Sequence, residues 1–108
     1  MLIIANGPSA LKEKLGDRID QFNAIGRINN YTTNNFEKFI GSKTNIWFNG
    51  ANQRLKTRQR IPKKTIILVP YEILCRKESI LSEKIPKKLN LNKKQYTLVK
   101  KEKMKEYE

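Results

Sequence analysis

The chain has 108 residues and a formal net charge of +13, from 23 Lys or Arg against 10 Asp or Glu, with no His. That length implies one domain with a modest core, burying about two-thirds of its unfolded surface. A single cysteine, Cys75, excludes an intrachain disulfide, and the lack of histidine excludes His as general base or metal ligand.

In chain order, Leu2 to Ala5 reads as a short buried strand that breaks into Asn6-Gly7-Pro8-Ser9. Ala10 to Leu15 reads as a helical turn, with Ser9 as N-cap and Gly16 as stop. Asp17 and Asp20 read as loop residues. Phe22 to Ile28 is a second strand. Thr33 to Ile40 is a second short helix with Phe36, Phe39 and Ile40 on one face, closed by Gly41. Asn45 to Phe48 is a third strand, ended by Asn49-Gly50. Thr65 to Val69 is a fourth, Tyr71 to Leu81 a helix and Tyr96 to Val99 a weak fifth strand. Strands alternating with short helices imply an α/β fold, a Rossmann-like and mainly parallel sheet, here an incomplete one.

The chain divides into residues 1–52, a basic connector over 53–64, a second α/β stretch over 65–99, and a charged tail over 100–108 expected to fray or be disordered. Charge is uneven: residues 1–50 have six basic and four acidic side chains, residues 51–108 seventeen and six. Such asymmetry points to an anionic partner or to a merely lysine-rich surface. No basic segment with a following apolar run opens the chain, and no apolar stretch approaches the ~20 residues of a membrane span. A cytoplasmic protein is the expectation.

Three strand ends are the candidate site. At Asn6, Gly7, Pro8 and Ser9, glycine admits close backbone approach, proline fixes the turn, and Asn6 and Ser9 offer side-chain donors at a helix start, where anions are favoured. The same four residues also make an ordinary strand-to-helix turn. Asn29 leaves the second strand beside that loop, with an uncharged amide suited to ribose or phosphate. Arg27 is either part of the site or an anchor for the loop. Asn49 presents another amide at the third strand end. Gly41-Ser42-Lys43-Thr44 lacks the spacing of a phosphate-binding P-loop, and no dinucleotide fingerprint occurs.

Leu2 to Ser9 is similar to the opening strand and loop of bacterial sialyltransferases of glycosyltransferase family 42. Ile19-Asp20, Phe22, Arg27-Ile28-Asn29, Phe36-Glu37 and Gly41-Ser42-Lys43-Thr44, taken in order, resemble the large sialylmotif of glycosyltransferase family 29. The resemblance covers about residues 2–52. It implies a CMP-activated sugar as donor, a glycan as acceptor, inverting transfer and no metal cofactor. By position, Asn6, Gly7 and Ser9 would lie at phosphate and sugar, and Asn29 and Asn49 at phosphate or ribose. The family's second motif, with its catalytic His, has no counterpart, so the catalytic residue is unassigned and a second chain or missing C-terminal half is implied. A basic nucleic-acid-binding protein and a non-catalytic remnant are the alternatives.

Overall fold

In the computed structural model, which describes every residue except 52 and 53, five parallel strands form one sheet: β1 (Leu2–Ile4), β2 (Ile25–Ile28), β3 (Ile46–Asn49), β4 (Lys64–Ile67) and β5 (Tyr96–Leu98). Their spatial order is their chain order, β1-β2-β3-β4-β5. The helices are α1 (Gly16–Asp20), α2 (Glu37–Ile40), α3 (Tyr71–Lys88) and α4 (Lys101–Tyr107), with a 3-10 turn at Pro8–Leu11 after β1. The expected Rossmann-like α/β arrangement is what the chain forms. The boundary expected between residues 52 and 53 lies outside the described residues.

Side chains paired across a parallel sheet share a face. The register therefore groups Ile25, Arg27, Trp47, Asn49, Thr65, Ile67, Tyr96 and Leu98 on one side, and Ile3, Gly26, Ile28, Ile46, Phe48, Ile66 and Thr97 on the other. The first face carries the core. Trp47 and Ile67 are fully buried there with Leu74, Ile85 and Leu89 of the α3 region and Met104 of α4. Strands that follow one another in chain order through right-handed crossovers place all their connections on one face.

Several elements differ from the sequence reading: β2 begins at Ile25 rather than Phe22, α2 at Glu37 rather than Thr33, the first helical turn runs over Pro8–Leu11 rather than Ala10 to Leu15, and three differences go further. Gly16, expected as a stop, opens α1, and Asp20 closes that helix rather than lying in a loop. Gly16 is buried because its Cα packs against the backbone of Glu37 and Lys38 in α2, where no Cβ fits. Helix α3 continues past Leu81 to Lys88 through Pro86, with a kink at Lys77 (φ −139°). Buried Leu74 and Ile85 hold both segments to the sheet, so packing outweighs the one backbone bond that proline removes. The charged tail, expected to fray, forms α4: Met104 is only 7% exposed and seats the helix in the core, while its Lys and Glu residues point outward.

Candidate functional site

The ends of β1, β2 and β3 meet at the C-terminal edge of the sheet, the edge where open α/β sheets bind ligands. Asn6 Nδ2 donates to Ile28 O at 2.8 Å, tying the first corner to the second. Gly50 N donates to Asn29 Oδ1 at 2.9 Å, tying the second to the third. Asn29 sits in the left-handed region at φ 51°, which asparagine tolerates better than most residues. Its backbone is pinned twice: Asn29 N donates to Phe48 O (2.8 Å), and Trp47 Nε1 donates to Asn29 O (2.8 Å).

Asn49 is 1% exposed. Its Oδ1 accepts from Ala51 N at 3.3 Å, and Ala51 is itself in the left-handed region at φ 55°. Asn49 Nδ2 has no partner among the described residues. Leaving a buried N–H2 unpaired costs about 1–3 kcal/mol, and backbone strain of this kind gathers at functional sites. The first corner is more open. Asn6, Gly7, Pro8 and Ser9 are all exposed. Gly7 caps the 3-10 turn and Pro8 begins it, so Ser9 lies inside the turn and not at its cap.

Arg27 goes elsewhere. It is 1% exposed, and its guanidinium binds the segment leading into β3, away from the strand-end corners. Nε donates to Lys43 O (3.1 Å) and Thr44 Oγ1 (3.0 Å); Nη2 donates to Ile40 O (2.8 Å) and Lys43 O (2.9 Å). Burial pulls its pKa down, against the opposing fields of Asp20 and Tyr31. Of the two readings the sequence leaves open, the geometry is that of the anchor.

Asp20 completes that anchor. Its carboxylate accepts from Ser42 N, Ser42 Oγ and Lys43 N at 3.0–3.3 Å. Burial works against its charge, but the Ser42 and Lys43 amides outweigh that and hold its pKa below the usual carboxylate value. The Gly41-Ser42-Lys43-Thr44 segment is thus a strap between α2 and β3, held from both sides.

The basic connector is part of the edge, which sequence reasoning missed. Asn30 Nδ2 donates to Arg54 O and Asn30 Oδ1 accepts from Lys56 N, both at 2.9 Å. Arg58 donates to Tyr31 O at 2.6 Å and lies 3.7 Å from the centroid of the Tyr31 ring, a cation–π contact. Asn29-Asn30-Tyr31 therefore carries the Asn29 corner on one side and the cationic connector on the other. The signal was Asn30 itself, a second asparagine able to bridge two backbone groups. Among the described residues no three Asp, Glu or Cys side chains come together as a metal site.

The model of glycosyltransferase family 29 (sialyltransferase) matches residues 2–107. The chain belongs to glycosyltransferase family 29. Among similar proteins, the β-1,6-galactosyltransferase GALT29A of Arabidopsis thaliana is 42% identical over 50 residues, 46% of this chain and 13% of that protein. The CMP-N-acetylneuraminate-β-1,4-galactoside α-2,3-sialyltransferase of Homo sapiens is 36% identical over 62 residues, 55% of this chain and 16% of that protein. The matched part is thus a small share of these relatives' length. No solved structure matches. The family model reaches beyond residue 52 and takes in β4, α3, β5 and α4. No helix among the described residues is long and apolar enough to cross a membrane.

Proposed function

We propose that the C-terminal edge of this sheet binds the cytidine monophosphate part of an activated sugar, and that the chain is the donor-binding portion of a sialyltransferase-like glycosyltransferase acting on a glycan. The observation that supports this most is the meeting of Asn6, Asn29 and Asn49-Gly50 at one edge, with Asn49 Nδ2 buried and unpaired. In this reading asparagine N–H groups hold phosphate or ribose, and the exposed 6–9 turn receives the rest of the donor.

The chemistry is displacement at the anomeric carbon. The acceptor hydroxyl forms the new bond, and the cytidine phosphate leaves with the electron pair of the old one. Negative charge on the leaving phosphate meets fixed N–H dipoles and the cations of the connector, so the chain contributes by positioning and electrostatics. No metal is assigned to this role. The acceptor hydroxyl gives its proton to a base that is not assigned to any residue of this chain; histidine, absent from it, is excluded from that role here.

Thermal unfolding tests the reading. Cytidine monophosphate at a hundred times its Kd stabilises the folded chain by about 2.7 kcal/mol, through linkage. Asn29→Asp keeps the oxygen that accepts from Gly50 N but exchanges the N–H2 for negative charge, so the fold persists and the nucleotide shift disappears. Nucleotide that leaves the melting temperature unmoved, while mixed-sequence nucleic acid binds with steep salt dependence, would overturn the proposal.

A further inference from the structure

We propose that a cavity between the basic connector and the second half of α3 binds a small carboxylic acid with a benzene-sized apolar body. The cavity has a volume of about 160 Å³, and Ala51, Leu55, Leu81, Ile85 and Leu89 make its walls. Leu55, Ile85 and Leu89 are buried members of the core cluster, and Ala51 and Leu81 pack against it. Protein interiors leave few voids larger than one water, and this one has room for several. An apolar cavity of about 150 Å³ stays dry and takes up benzene. The walls are also fixed before any ligand arrives. Thr57 Oγ1 donates to Lys88 O at 3.2 Å and Asn30 bridges Arg54 O and Lys56 N, which holds the connector on both sides of Leu55. A preformed site loses little binding energy to ordering.

The charge at the mouth sets the head group. Lys84 and Lys88 are the remaining lining residues, both exposed and one turn apart on α3. At that spacing their Cβ atoms stand ~5–6 Å apart, and like charges so placed repel. The residues three and four positions from Lys84 are Ile80, Leu81, Lys87 and Lys88, so the helix supplies it no carboxylate. No acidic side chain among the described residues lines the cavity. One carboxylate between the two ammonium groups relieves the repulsion and gains charge-assisted hydrogen bonds, while its apolar body fills the space behind. A neutral apolar molecule leaves the repulsion in place, and an amine adds to it. Ala51 N donates to Asn49 Oδ1, so the cavity adjoins the third corner of the sheet edge. The inference stands on this cavity and its lysines and does not rest on the nucleotide reading.

Calorimetric titration of the whole chain with phenylacetate, phenylacetamide and phenethylamine compares one apolar body with three head groups. Phenylacetate should bind saturably and at least about tenfold tighter than the amide, with the amine weaker still. Lys84→Glu, an exposed change, should weaken phenylacetate about tenfold or more and leave phenylacetamide within about twofold. A lysine that served only the helix dipole would leave that ratio unmoved. Leu81→Trp fills the cavity and should abolish binding of acid and amide alike. Ile73→Ser, exposed on α3 outside the cavity, should change nothing. The absence of saturable phenylacetate binding, equal affinity for acid and amide, an acid-to-amide ratio that survives Lys84→Glu, or full affinity in a folded Leu81→Trp chain overturns the proposal. Where Leu81→Trp does not fold, the ratio in Lys84→Glu decides alone.

Discussion

The two halves of the sheet are held by different forces. From β1 to the start of β3, buried hydrophobic side chains are few, Ile19 and Ile25 chief among them, and polar groups make the joints. Arg27 and Asp20 bind the 40–44 strap, Asn45 Oδ1 accepts from Ile25 N at 2.8 Å, and Asn6 and Asn29 join the corners. From β3 to α4 the joints are apolar: Trp47, Ile67, Val69, Leu74, Ile85, Leu89 and Met104 form one cluster. Apolar contact is non-directional and tolerates small shifts, whereas hydrogen bonds fix direction as well as distance. Two corners of the candidate site, at Asn6 and Asn29, lie in the half whose geometry is set by directional bonds, and Gly50 N at the end of β3 is tied to them through Asn29 Oδ1.

Trp47 belongs to both halves, because its ring sits in the cluster and its N–H holds the Asn29 corner. Trp47→Ala should therefore cost the most, about 3–5 kcal/mol in denaturant unfolding, and abolish nucleotide binding with it. Trp47→Phe separates the two roles. It keeps most of the apolar contact and unpairs Asn29 O, so about 1–3 kcal/mol is lost, with nucleotide affinity falling more than stability. Arg27→Leu should cost about 2–3 kcal/mol, since it leaves Ile40 O, Lys43 O and Thr44 Oγ1 without their donor. A cost near zero would mean that the strap needs no anchor and that the halves do not differ as described. Thr65→Val makes the opposite change in the apolar half. Thr65 is fully buried and its hydroxyl has no partner among the described residues, so a shape-matched apolar side chain should stabilise the fold by about 1 kcal/mol.

The same division explains what could be read from sequence. Strands announce themselves by apolar runs, so all five were legible, as were the corners that end the first three. The likeness to the large sialylmotif rested on Ile19-Asp20, Phe22, Arg27-Ile28-Asn29, Phe36-Glu37 and the strap. What stayed hidden depended on contacts distant in the chain. Asp20 looked like loop because its partners, Ser42 and Lys43, lie more than twenty residues on. Arg27 looked equally suited to ligand or loop, since only the path of residues 40–44 decides between them. Tail helix α4 looked frayed or disordered because its holds are distant in the chain: Met104 is its one buried residue, and Glu108 accepts from Tyr71 N at 2.8 Å. The connector's place beside Asn29 was invisible for the same reason: Asn30 bridges to Arg54 and Lys56 across the fold.

The smallest expected loss of stability bears on the strap alone. Asp20 has its pKa below the ordinary value of 3.8 in the folded chain, because the Ser42 and Lys43 amides favour the carboxylate over the opposing effect of burial. A carboxylate whose folded pKa is depressed stabilises the fold above its unfolded pKa, and that contribution is lost as pH falls through the folded value. Asp20→Asn keeps one oxygen but loses the charge and the second acceptor, so at neutral pH it should cost about 1–2 kcal/mol. The difference from the native chain should stay level down to about pH 4 and close below it. A difference that instead persisted unchanged into strong acid would mean that Asp20 acts by shape, and that the polar half owes its strap to Arg27 alone.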